Sequence, residues 1–192
     1  MADTPIYTLI GVVIGAAIPF LRDVYFHSFQ REKDAEYLAV RVICELDTFV
    51  NICLNVIYDD GREMGRGEFT SGGEEHFPPK YTPPKTLDFP PNLDWKSIDA
   101  NLMYRILALP NKLTYTYKYI KFASEISFAP DYEELYWARY MGYADLGLEA
   151  ISIIEALWTR YDIRPDHKDE LYIEIQSSKK NLIDKKAEIE KL

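Results

Sequence analysis

The order of apolar and polar positions divides the chain into stretches of different character. From Thr4 to Leu21 (TPIYTLIGVVIGAAIPFL) no residue is charged. At 1.5 Å per residue this stretch reaches ~27 Å, the lower end of what a membrane-spanning helix needs. From Ser28 the period changes. Ala35, Leu38, Val42, Leu46, Phe49, Val50, Cys53, Val56 and Ile57 recur at steps of three and four, which draws one apolar face on a helix. No breaker separates the two stretches, so one continuous rod is expected, ended by Asp59-Asp60-Gly61.

Between Asp59 and Trp95 the periodicity disappears. Five of the nine glycines fall between Gly61 and Gly73, and six of the eleven prolines between Pro78 and Pro91. A connection this long inside a compact domain is functional or partly disordered. Phe77, Tyr81, Phe89 and Trp95 recur through it, so the proline half is expected to lie extended against the helices, with the glycine half mobile.

Helical spacing then resumes. Helices are predicted over about 97–109 and 111–127, capped by Ser97 and Asn111 and separated at Pro110. A third covers about 131–161, opened by Asp131 with Glu134 three residues on. A fourth covers about 169–191, with Leu171, Ile175, Leu182 and Ile189 on one side. Gly142 and Gly147 stand inside the 131–161 helix, where each costs about 1 kcal/mol relative to alanine, and so point to close approach of another helix. The predicted fold is all-α. A single transmembrane helix (span about 5–26, in an anchor of residues 1–27) continues into a domain of residues 28–192. That domain resembles a four-helix bundle: its first helix covers about 28–58 and a long Gly/Pro-rich crossover loop covers 59–96.

The flanks of the apolar stretch bear on location. A cleaved signal needs a basic leading segment, whereas Met1-Ala2-Asp3-Thr4 is acidic. Gly11, Gly15 and Pro19 weaken a helix in water but are common in membranes, and Tyr7 on one side with Tyr25, Phe26 and Phe29 on the other suits interfacial aromatic belts. No Lys or Arg precedes the stretch, while Arg22, Arg31, Lys33 and Arg41 follow it. The positive-inside bias then places the N-terminus outside and the domain at the cytoplasmic face of an inner or plasma membrane. Gly11-Val-Val-Ile-Gly15 is a small-xxx-small step, so Gly11 and Gly15 are candidate helix-packing residues for a homo-oligomer.

Charge and chemistry narrow the function. The net charge is −9, and no basic patch with interleaved aromatics occurs, which argues against nucleic-acid binding. Cys44 and Cys53 would lie ~13 Å apart along one helix, too far to bridge, and read as reduced core residues. Asp47, Asn51 and Asn55 form a polar stripe at i, i+4, i+8, and Asp145 and Glu149 stand one turn apart. A dinuclear carboxylate centre would also need Glu-x-x-His on two helices, and neither occurs, so no metal or cofactor is expected. Gly65-Arg-Gly-Glu lacks the Lys-Ser/Thr of a P-loop, and no catalytic set is visible. Tyr132, Tyr136, Tyr140 and Tyr143 form a stripe suited to a partner face or to a half-buried bundle flank. The expected function is protein interaction or scaffolding at the membrane, with an unknown protein partner. An oligomeric membrane effector whose domain senses a ligand or partner is the alternative. A span with no polar residue beyond Thr8 offers that alternative little to line a pore. An enzyme with a bundle-core site comes third.

Overall fold

A computed structural model describes residues 4–62, 65–130, 132–163 and 170–191, with helix side chains from Tyr25 onward and at Arg22. Its elements are α1 (Thr4–Ile57), α2 (Ala100–Ile126), α3 (Glu133–Tyr161) and α4 (Glu170–Ile189), with a 3-10 turn at Trp95–Ser97. Two short strands, β1 (Glu68–Phe69) and β2 (Glu75–His76), pair antiparallel as a hairpin. The architecture is a helical bundle, as the periodicity predicts; the glycine half, expected to be mobile, carries the hairpin instead.

Contacts between helices fix their directions. Asp59 of the segment after α1 meets Arg139 of α3, and Cys53 lies against Gly147, so α1 and α3 are antiparallel. Arg105 reaches Glu149 and Ser152, and Gly142 faces Thr116, so α2 is antiparallel to α3 as well. Lys186 bonds Asp145 and Lys179 bonds Glu155, which gives α4 the same relation. Helix α3 is therefore the central rod, with α1, α2 and α4 running the other way around it. Because α1 and α2 point the same way, residues 59–98 must travel back along the whole bundle. Arg31, at the start of the packed part of α1, donates to the Lys96 carbonyl at the end of that return.

Every residue named above on the apolar face of α1 is buried, and the core continues through Leu102, Ile106, Leu109 and Leu113 of α2 and Ile151, Ile154, Leu157 and Trp158 of α3. Tyr81, Leu87, Phe89, Leu93 and Trp95 pack on that core, so the proline half is extended over the helices as expected. Gly142 and Gly147 mark close approaches. A Cβ on Gly142 would meet the Thr116 side chain, and one on Gly147 would meet Leu182 and Cys53.

Three local expectations need correction. The predicted break at Pro110 does not occur, because α2 runs from Ala100 to Ile126 with Pro110 inside it and Asn111 as an ordinary helical residue. Proline in a helix interior costs about 3 kcal/mol, but Ile106, Leu109 and Leu113 are fully buried on both sides of it, and their packing holds the helix together. The cap of α2 is Asp99, whose carboxylate accepts from Asn101 N and Leu102 N at 3.0 Å each, and not Ser97, which closes the 3-10 turn on the Asp94 carbonyl. Cys53 is buried, whereas Cys44 is exposed. The predicted cap Asp131 lies outside the described residues.

Helix α1 continues as one element through the apolar stretch, over 54 residues. Its described side chains are exposed up to Lys33, Tyr25, Phe26 and Phe29 among them, and burial begins at Ala35. Among the described residues no helix is long and apolar enough to cross a membrane. The predicted span, with Gly11 and Gly15, lies largely where side chains are outside the described residues.

Candidate functional site

The end of the bundle away from the apolar stretch gathers the C-terminal turns of α2 and α4, the first turns of α3 and the segment that leaves α1. Two arrangements occupy it: a latch that fixes the crossover segment, and an open aromatic groove beside it.

The latch begins with Asp59, which the sequence suggests only as a helix stop. Its carboxylate is 6% exposed and accepts from four donors. One oxygen takes Gly61 N (3.2 Å) and Lys80 N (3.1 Å), and the other takes Tyr81 N and Arg139 Nη2, both at 2.9 Å. Arg139 also donates to the Tyr81 carbonyl at 2.8 Å. The pair thus ties the end of α1, the second turn of α3 and the crossover together, with backbone amides completing the coordination that a buried carboxylate requires. The Arg139 Nε is buried without a hydrogen-bond partner. The sequence marks neither residue by a motif; the only signal is an arginine amid the tyrosine stripe of α3, a charge that needs a partner when buried.

The tyrosines of the stripe are deployed differently from one another. Tyr132 shares a 3.0 Å hydrogen bond with His76 Nδ1 at the hairpin. Tyr136 donates to the Phe77 carbonyl (2.8 Å), and Tyr140 to the Asp59 carbonyl (2.7 Å). Tyr143 is buried in the core. Burial is the main cause that pushes the phenols of Tyr136, Tyr140 and Tyr143 up, Tyr140 and Tyr143 to about 12 and Tyr136 higher still, so Tyr136 and Tyr140 stay protonated donors. The rings of Tyr136 and Tyr140 lie 5.3 Å apart, and their outer surfaces floor the groove.

The groove encloses about 760 Å³, within the range of small-ligand clefts. Tyr119, Phe122 and Ile126 of α2 form one wall, and Glu133, Glu134 and Trp137 of α3 the other. Asp60, Arg62 and Phe77 close one side, and Lys185, Glu188 and Ile189 of α4 the remaining one. Tyr119, Phe122, Ile126 and Trp137 are 52, 56, 46 and 44% exposed. Two of its rings carry cations on their faces: Lys185 lies 5.6 Å from the Tyr140 centroid, and Arg62 lies 5.1 Å from that of Phe77. The α2 wall is not marked in the sequence: Tyr119, Phe122 and Ile126 share one side of a predicted helix, but only the packing of α2 against α3 turns that side toward Trp137.

The polar stripe lies elsewhere, between α1 and α4. Asn51 Nδ2 is 3.4 Å from Glu174 Oε1, Asn55 is exposed, and Asp47 is held above the usual carboxylate range by burial and then by the charge of Glu174. Asp145 and Glu149 serve as ion-pair partners of Lys186 and of Arg105 and Lys112. Among the described residues no three metal-type ligands converge. Comparison with protein-family models, with curated proteins and with solved structures gives no match for the chain.

Proposed function

We propose that the protein is a membrane-tethered interaction module, held N-terminus outward by the apolar stretch and docking a partner protein in the aromatic groove. The observation that carries docking is the row of open apolar side chains, Tyr119, Phe122, Ile126 and Trp137, converging on one concave site. Monomeric surfaces rarely leave such side chains together unless a partner covers them. Tethering is supported by the charge-free segment and by the exposed Tyr25, Phe26 and Phe29 where α1 leaves the bundle. From Phe29 to Ile57 helix α1 rises ~42 Å, so the groove would face outward from the membrane surface toward other proteins. Gly11 and Gly15 would allow two such rods to pair.

The test is photo-crosslinking in native membranes, with benzoylphenylalanine in place of Phe122 or, as the control, of the exposed Ile173 on α4. A discrete adduct from position 122, lost with Trp137→Ala, is expected. Equal labelling from both positions, or none, would remove the docking reading. Extraction with alkaline carbonate tests the tether: a chain released to the supernatant would remove it.

A further inference from the structure

Building on the reading of the groove as a docking site, we propose that its occupant is a basic amphipathic helix of a partner protein. Its apolar face would rest on Phe122, Ile126 and Trp137, and a lysine or arginine would sit at the rim between Glu133 and Glu134.

Charge selects this occupant. Four acids (Asp60, Glu133, Glu134, Glu188) and two bases (Arg62, Lys185) line the groove, which leaves it at −2. Lys185 is bonded to Glu188 at 3.1 Å, and Arg62 stands 3.9 Å from Asp60. The surplus therefore resides on Glu133 and Glu134, which form no ion pair among the described residues. Both lie one helical turn before Trp137, at i+4 and i+3 spacing, so their carboxylates stand on the side of α3 that carries the indole. A cation placed there meets carboxylates and a ring at once, and cation–ring attraction is strongest for tryptophan. The groove already uses the same device internally, with Lys185 over Tyr140 and Arg62 over Phe77. The neighbouring lysines of α2, Lys118 and Lys121, do not line it.

Size and position agree with a helix. The facing walls, Tyr119–Ile126 and Glu133–Tyr140, are each ~10 Å long, which seats about two turns and anchors at i, i+3 or i+4, and i+7. A two-fold contact between the grooves of two copies is disfavoured, because both partners would bring the same unpaired carboxylates. A lipid surface is disfavoured by the distance of the groove from the exposed aromatics of α1.

The full chain in zwitterionic lipid nanodiscs would be titrated with three labelled fourteen-residue peptides and followed by anisotropy, with empty discs as the blank. One is an amphipathic Lys/Leu helix, one the same helix with Glu for Lys, and one a Lys/Gly/Ser peptide of equal charge. The Lys/Leu peptide should bind. Glu133→Gln with Glu134→Gln should weaken it about tenfold and flatten its salt dependence, whereas Glu170→Gln with Glu174→Gln, in the first two turns of α4 and outside the groove, should change it less than about twofold. Trp137→Ala should weaken it too. Equal binding of the Glu/Leu peptide would overturn the cationic seat, and equal binding of the Lys/Gly/Ser peptide would reduce the effect to bulk charge and overturn it as well. Loss of all binding while the adduct at position 122 persists would sink the basic-helix proposal and leave docking intact. Loss of both would end both.

Discussion

The latch and the groove share one end of the bundle and are both rich in aromatic side chains, yet they satisfy their chemistry in opposite ways. In the latch, Tyr136 and Tyr140 end on backbone carbonyls and Arg139 ends on a buried carboxylate, so polar tips are consumed inside the fold. In the groove, Tyr119, Phe122 and Trp137 lie open and Glu133 and Glu134 face solvent. The regimes meet at adjacent positions on α3: Tyr136 spends its hydroxyl in the latch while its ring lines the groove, and Trp137 lies open. An aromatic row on a helix thus says little about docking until the fate of each polar tip is known.

The sharpest way to break this contrast is at the buried pair. Arg139→Met leaves the Asp59 carboxylate enclosed with backbone amides as its only partners, and removing one member of a buried pair costs about 3–5 kcal/mol. Urea denaturation should show a loss of that size, and hydrogen exchange at the Lys80 and Tyr81 amides should quicken, since both donate to Asp59. A loss under about 1 kcal/mol would mean that the pair is not the fastener of the crossover. Phe122→Ser, in the other regime, should move stability by less than about 0.5 kcal/mol and still abolish docking.

Glycines separate packing from backbone conformation within the crossover. Gly61 has φ +72°, and a Cβ there would run into the Tyr136 hydroxyl and the Phe77 carbonyl. Gly73, at φ +84°, has no atom within 4 Å of the Cβ position. Gly61→Ala should therefore cost about 2–4 kcal/mol and Gly73→Ala only about 1, the latter from conformation alone. Equal losses in thermal or urea unfolding would show that the latch does not press on Gly61.

Removing single hydroxyls compares the regimes at the smallest chemical change. Tyr136→Phe deletes the bond to the Phe77 carbonyl and should cost about 1 kcal/mol. Tyr119→Phe, on the open wall, should be within about 0.5 kcal/mol of neutral. A reversed order in urea unfolding would reassign the two faces.

Much of the bundle is legible in the sequence because helix α1 shows an unmixed apolar period, and each residue of that face is buried. What misleads is local punctuation that tertiary packing overrides. Pro110 reads as a stop, but buried neighbours on both sides carry the helix through it. Asp59 reads as a stop and is the centre of a four-donor cluster, because its donors come from residues 61, 80, 81 and 139, and no local rule joins them. The groove is half legible: the tyrosine stripe of α3 is visible, but only the orientation of α2 against α3 reveals its opposite wall. The hairpin is short enough to leave almost no alternating pattern.

The smallest effect is expected from the polar stripe, which belongs to neither regime. Asp47 is held above the usual carboxylate range by partial burial and by the nearby Glu174, and its Oδ1 is buried without a partner. A carboxyl whose folded pKa exceeds its unfolded value holds more protons in the native state, so stability declines as pH rises from the unfolded value through the folded one. The ionised form is therefore a small liability at neutral pH. Asp47→Asn should raise Tm slightly at pH 7, and the gain should vanish below about pH 4, where the carboxyl is protonated in both states. Glu174→Gln should give a smaller gain, since it removes only the secondary cause and loses the contact with Asn51. A fall in Tm with Asp47→Asn at pH 7 would show that the carboxylate is favourably held there, and the stripe would then rank beside the latch as a polar fastener.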